Sequence, residues 1–377
     1  MTIKEITKKV IIWRLIVFLF AIPGVFFLDL RRGFTNLTPG FSLTNLFNIW
    51  TNFDGDLYLR LAQYHYSSPL TSMAQAFLPF YPWLIRVTNI FGSYLFSALF
   101  ISHLSFILAL FFLWKLLHLD YPKKLVDTTI LLILMFPTAL FFGSVYTESL
   151  FLLMSVLTFY SIRKGNFFLG CFFAMFAAIT RITGIFLWPA IMVELWLRYG
   201  KDLKRTFNPE TIWLLLPPLG LLAFLRFQLI KTNNVFFFFT SQPLFGASRE
   251  VSKIVLPYQV FYRYARMLIF IDHTDPLFFT ILLEFISGIG FLALVIWGLK
   301  KLRPSYSTYI LLSYLLSAFT GNFSGMPRYV LVLFPAFVLM AEIYLKLPEN
   351  AKKIYLITSI IFSFIAITLF SRGYFIG

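Results

Sequence analysis

Apolar runs of roughly twenty residues recur along nearly the whole chain, and this repeat limits what the sequence can fold into more than any other feature. A helix rises about 1.5 Å per residue, so each such run is long enough to cross the hydrocarbon of a bilayer. About eleven spans are expected, centred near residues 20, 105, 136, 155, 173, 190, 220, 288, 312, 337 and 362. With 59% hydrophobic and only 13% charged residues, and a mean hydropathy of +0.81, the chain reads as an all-α polytopic membrane protein. It is expected to form a single integral-membrane domain over residues 1–377. The first run, "VIIWRLIVFLFAIPGVFFL", has full span length and no small-residue cleavage site, which predicts a retained first helix. Cys171 is the only cysteine and lies within an apolar run, where it serves as a small hydrophobe.

The net charge of +16 would suggest nucleic acid in a soluble chain, but here the basic residues sit between apolar runs, and topology accounts for them. No nucleic-acid partner is expected. With the N-terminus inside, the inner loops carry Lys4, Lys8, Lys9, Lys123, Lys124, Arg163, Lys164, Lys201, Lys204, Arg205, Lys300, Lys301, Arg303, Lys346, Lys352 and Lys353, and the C-terminus falls outside. The outer side has Lys231 and Lys253 but is rich in arginine: Arg31, Arg32, Arg60, Arg86, Arg181, Arg249, Arg263, Arg266, Arg328 and Arg372. A guanidinium fork suits phosphate, so this split points to an anionic headgroup on the outer face; the plainer alternative is helix anchoring at the interface.

Two outer segments are longer than turns, residues 30–92 and 231–276. The apolar stretch "AFLPFYPWLIRVTNIFG" within the first is interrupted by Pro79 and Pro82, and counting it as a span would reverse the charge bias of every later loop. It is therefore expected to be re-entrant or interfacial.

Within the first outer segment, "TNFDGDLYLRLAQYHY" packs two carboxylates, a histidine and three tyrosines into a short stretch. Wound as a helix, Phe53, Leu57, Leu61 and Tyr64 form an apolar stripe, bordered on one side by Asp56, Arg60 and Gln63 and on the other by Asp54, Tyr58 and His65. Asp56 and Arg60 can form a local ion pair at i, i+4. Asp54 is suited to cap the helix and, in the same place, to project from the membrane rim as a base. His65, His103, His118 and His273 are scattered without metal-ligand spacing.

Three more polar groups stand at the outer ends of spans. Glu148, with Tyr146 and Thr147 beside it, lies in "FPTALFFGSVYTESLF"; Arg181 lies in "AAITRITGIFLWP"; Arg328, followed by Tyr329, lies in "GNFSGMPRYVLVLFP". All share the face of Asp54 under the charge-derived topology. A carboxylate that takes a proton, opposite cations that hold a phosphate leaving group, is what transfer from a lipid-phosphate sugar requires. A structural alternative is an internal salt bridge, such as Glu148 with Arg181.

The ordered set "FDGDLYLRLAQYHY", "FLPFYPWLIRV", "FPTALFFGSVYTESLFLL", "AAITRITGIFLWPAIMVE" and "MPRYVLVLFPAFVLMA" resembles the PIG-V-like mannosyltransferases of the GT-C class of integral-membrane glycosyltransferases, over roughly residues 45–345. Phe53 stands where that family usually has tryptophan, and His65 where glycine is common. The resemblance implies a GT-C-like fold with interfacial helices in the first outer loop. It also implies transfer of a monosaccharide, often mannose, from a polyprenyl-phosphate donor to a lipid, glycan or protein acceptor, with inversion. The site would face outward from a prokaryotic plasma membrane or into the lumen of the ER, in contact with membrane lipids. Asp54 would be the catalytic base. The substrate-binding candidates are Asp56, Tyr58, His65, Tyr146, Glu148, Arg181, Arg328 and Tyr329, with Arg181 and Arg328 on the donor phosphate. No cofactor is fixed by the sequence, and a divalent cation near Asp54, Asp56 and Glu148 stays open. The competing classes are a lipid or solute transporter, including a flippase, and a non-catalytic membrane scaffold.

Overall fold

Among the described residues, six helical segments are long and apolar enough to cross a membrane. The computed structural model describes the chain other than residues 32–36, 38–41, 67–70, 72, 90–91, 201–208, 242–254, 256, 320 and 377. Lys201, Lys204, Arg205, Arg32, Arg249 and Lys253 of the expected charge pattern thus lie outside the described residues. The described residues are 80% helical and contain no strand, the solution that keeps backbone hydrogen bonds internal in lipid.

In chain order the first helices are α1 (Ile3–Phe27), α2 (Leu43–Asn48), α3 (Asp54–Tyr64), α4 (Phe80–Val87), α5 (Tyr94–Leu117), α6 (Lys123–Leu134), α7 (Glu148–Arg163) and α8 (Phe167–Ala178). There follow α9 (Leu187–Tyr199), α10 (Leu216–Thr232), α11 (Phe237–Thr240), α12 (Pro257–Phe270), α13 (Pro276–Lys301), α14 (Pro304–Ala318), α15 (Met326–Leu331), α16 (Phe334–Lys346) and α17 (Glu349–Ser371). The segments of crossing length are α1, α5, α13, α17 and the two in which a 3-10 turn runs on into α9 and α10.

Elsewhere the expected spans are shorter or broken. Helices α7, α8 and α14 have 16, 12 and 15 residues. Near residue 136, α6 ends at Leu134 ahead of Pro137, and a 3-10 turn, Ala139–Gly143, replaces its continuation. Near residue 337 the helix stops at Leu331 and restarts at Phe334, with Pro335 next. Proline removes a donor and its ring crowds the carbonyl four residues earlier, Ile133 for Pro137 and Leu331 for Pro335, so both breaks follow from sequence. The freed backbone is satisfied inside the protein: Thr138 donates to the Pro327 carbonyl at 3.0 Å, and the Ser359 hydroxyl donates to the Met135 carbonyl.

Helix α7 is buried on almost every face and forms the centre of the packing, with α5 on one side and α8 on another. α8 packs in turn on α10, α6 along α16, and α9 along α14. α1 and α17 run parallel: Thr368 donates to the Phe20 carbonyl at 2.9 Å, and Arg372 Nε to the Leu28 carbonyl at 3.1 Å. At one end of the bundle Lys9, Lys123, Lys124 and Asp127 line a shared groove. Glu194 accepts there from Arg303 (2.5 Å) and Ser305 (2.7 Å), with Arg163 at 3.5 Å also bridging to Asp120.

The proline-interrupted stretch forms α4, which at eight residues is about 12 Å long, too short to cross. It packs between α3 and α5. The second outer segment contains α12, which buries Val260 and Tyr264 and exposes Tyr258, Tyr262, Ile269 and Phe270.

Candidate active site

The site begins with a strained turn. Phe53 has φ 59° and ψ −120°, a conformation L-residues rarely adopt, and it occupies the N-cap position of α3 without a side-chain cap bond. The capping role open to Asp54 is therefore not taken; Asp54 is the first helical residue, where the helix dipole favours a carboxylate. Such backbone costs on the order of 1–3 kcal/mol and persists only when its surroundings impose it. Here they do. Val145 donates to the Trp50 carbonyl at 3.0 Å, Tyr146 to the Asn52 carbonyl at 2.7 Å, and Asn52 Nδ2 to the Phe370 carbonyl at 2.7 Å. The Phe53 ring lies 5.5 Å from Phe375, edge to face.

Helix α3 is rotated from its expected setting. Gly55, Tyr58, Leu61 and Ala62 are buried, while Tyr64, expected on the apolar stripe, is 42% exposed. The cause is packing against the rest of the protein: Tyr58 meets Phe77 and Tyr81 edge to face at 4.9 and 5.3 Å, and Arg86 donates to the Ala62 carbonyl at 3.0 Å.

Three other elements bring charge to Asp54. Glu148 starts α7 and is fully buried. Arg181 sits in the extended turn after α8, and Arg328 in the short helix α15. Arg328 Nη1 donates to Asp54 Oδ2 at 2.7 Å, and its Nε lies 3.0 Å from Glu148 Oε1. Arg181 Nη1 donates to the same Glu148 oxygen at 2.6 Å. Two carboxylates and two guanidiniums thus form one continuous, formally neutral cluster. Breaking one partner from such a set leaves an uncompensated buried charge, at a cost of about 3–5 kcal/mol.

Aromatic rings wall the cluster. The Arg328 guanidinium lies over Tyr146 (5.3 Å), Tyr329 (5.6 Å) and Phe141 (5.7 Å), and Arg181 over Tyr329 at 5.3 Å. Ring faces attract cations, so these contacts aim both guanidiniums. Tyr58 borders the cluster from α3. Burial, then the charges of Asp54 and Glu148, push its phenol above the usual range, while Arg328 and Arg181 act in the opposite sense.

Other expected site residues lie elsewhere. Asp56 pairs with Arg60 at 2.7 Å on the exposed side of α3, as its spacing predicts. His65 is exposed at the far end of α3, about 16 Å of helix from Asp54. Its φ of 59° and ψ of 178° place it in a region that glycine favours. Asp54, Asp56 and Glu148 do not join as a metal-holding group, and among the described residues no set of three or more His, Cys, Asp or Glu does. Of the arginines expected on the outer side, Arg86, Arg263 and Arg372 donate to backbone carbonyls.

One residue escaped the sequence reading. Asn52 is 1% exposed, ties the strained turn to α17 and Tyr146, and leaves its own buried Oδ1 without a hydrogen-bond partner. Glu148 Oε2 is likewise buried and without one. Buried acceptors without partners suit a site that receives donors from a ligand. The only sequence signal for Asn52 was its place two residues before Asp54. Compared with models of known protein families and with curated proteins, the chain matches none.

Proposed function

We propose that this protein is an integral-membrane glycosyltransferase that moves a monosaccharide, in keeping with its resemblance mannose, from a polyprenyl-phosphate donor to a lipid, glycan or protein acceptor, with inversion. The observation that carries the reading is the bridging position of Arg328 between Asp54 and Glu148, with Arg181 on the same Glu148 oxygen. A base and two phosphate-binding forks from distant parts of the chain meet in one place.

The chemistry follows from that placement. The donor phosphate engages the forks of Arg181 and Arg328, and Arg328 releases Asp54. Asp54 then takes the acceptor hydroxyl proton as the oxygen forms its bond to the anomeric carbon. The bond from that carbon to the phosphate oxygen breaks, and its electron pair stays on the phosphate, whose charge the guanidiniums stabilise. Holding the three centres in line contributes roughly 7–11 kcal/mol at best. The phenol of Tyr58 stays neutral and serves as a hydrogen-bonding wall.

An eleven-span arrangement, with the N-terminus inside and the C-terminus outside, fits this reading. The parallel run of α1 and α17 is in keeping with an odd number of crossings, and the grouping of Lys9, Lys123 and Lys124 supports one basic end. The site would then face outward from a prokaryotic plasma membrane. The Glu148–Arg181 pair also favours a second reading, a non-catalytic scaffold stitched by ion pairs. The two separate in proteoliposomes supplied with radiolabelled polyprenyl-phosphate mannose and a glycolipid acceptor. A transferase yields labelled product from this donor and not from a nucleotide sugar, and Asp54→Asn abolishes it with folding intact. Equal output from wild type and variant removes Asp54 from the role.

A further inference from the structure

Glu284 stands inside α13, in one of the segments long enough to cross the membrane, yet it is only 4% exposed. A carboxylate at such a position is costly unless its oxygens are satisfied. Glu284 Oε2 accepts from the phenol of Tyr264 at 2.6 Å, and Oε1 accepts from the backbone amide of Gly325 at 3.1 Å. The Tyr264 oxygen in turn accepts from the amide of Phe323 at 3.2 Å. Arg263, the neighbour of Tyr264 on α12, donates to the Gly321 carbonyl at 3.2 Å. The 321–325 turn is therefore held from two sides, by α13 and α12.

That turn leads directly to the cluster. Gly325 is the N-cap of α15, with φ 84°, a left-handed conformation open to glycine. Its carbonyl accepts from the amides of Arg328 at 3.0 Å and Tyr329 at 2.9 Å. A displacement of Gly325 is thus passed to both residues. Among the described residues, one O–H and one N–H point at the two ends of residue 284, and both need acceptors. A carboxylate offers two acceptor oxygens, whereas a glutamine offers one and turns an NH2 toward a donor.

We propose that Glu284 is a positioning residue that sets Arg328 through the Gly325 amide, so that the guanidinium reaches Asp54 and Glu148 and, when donor is bound, its phosphate. The last clause rests on the transferase reading; the positioning itself does not. Glu284→Gln and the milder Tyr264→Phe test it in the full-length protein. Glu284→Gln should raise the KM for polyprenyl-phosphate mannose about tenfold while kcat stays within about twofold, since a buried charged acceptor is lost without touching the base. Tyr264→Phe should give a smaller shift in the same direction. Hydrogen exchange provides a readout independent of turnover: the amides of Arg328 and Tyr329 should exchange faster in both variants. Faster exchange in a protein whose wild type transfers no sugar upholds the positioning role and removes the transferase reading. Unchanged exchange, or a lowered melting temperature with donor KM unaltered, overturns the proposal.

Discussion

Arg328 reaches across 274 residues of sequence to donate to Asp54 at 2.7 Å, and it does so while its Nε stays 3.0 Å from Glu148. One guanidinium therefore serves two carboxylates that enter from different helices. A guanidinium suits this role because its donors point in fixed, separate directions, whereas an ammonium gathers its three donors at one point on a flexible stem. Arg328→Lys is expected to reduce transfer at least about a hundredfold while preserving net charge. Transfer within about twofold of wild type would show that charge alone suffices.

Glu148 is fully buried and takes both arginines. Glu148→Gln leaves two guanidiniums without their shared anion, and the expected loss is about 3 kcal/mol of stability. Thermal unfolding in detergent measures it. A melting temperature equal to wild type would mean that the arginines are balanced elsewhere.

Gly184 lies where an added Cβ would run into the backbone of Ala177. The Gly184 amide donates to the Arg181 carbonyl at 2.8 Å, so any shift at this glycine moves the arginine turn. Gly184→Ala is expected to cost about 1–3 kcal/mol and to weaken binding of polyprenyl phosphate. A variant as stable as wild type, with the same affinity, would show that the turn relaxes freely.

His65 holds glycine-like backbone angles on an exposed side chain. Replacing it by glycine relieves a strain on the order of 1 kcal/mol, and the melting temperature of His65→Gly is expected to rise. Transfer should be unaffected, because His65 stands at the opposite end of α3 from Asp54. A fall in stability would show that the imidazole contributes packing worth more than the strain.

Much of the architecture was legible because membrane burial writes itself into composition: apolar runs mark helices, and Pro137 and Pro335 sit where the expected spans break. Loop charge gave the expectation that Asp54, Glu148, Arg181 and Arg328 share one face, and their side chains do meet. Their pairing was not legible, since it depends on which helices touch, and no local spacing encodes a contact over 274 residues. The rotation of α3 was missed for a related reason: its buried face is set by Phe77, Tyr81 and Arg86, not by its own periodicity. Asn52 and Glu284 carry little signal in one sequence, because their roles consist of bonds to distant backbone.

The most direct measurement is a structure of the protein with polyprenyl phosphate bound in a lipid nanodisc. The phosphate oxygens should sit about 3 Å from the guanidinium nitrogens of both Arg181 and Arg328, with Asp54 released from Arg328 and facing the acceptor side, away from the phosphate. A phosphate held by other arginines, with the bonds among Asp54, Arg328, Glu148 and Arg181 unchanged, would contradict the account.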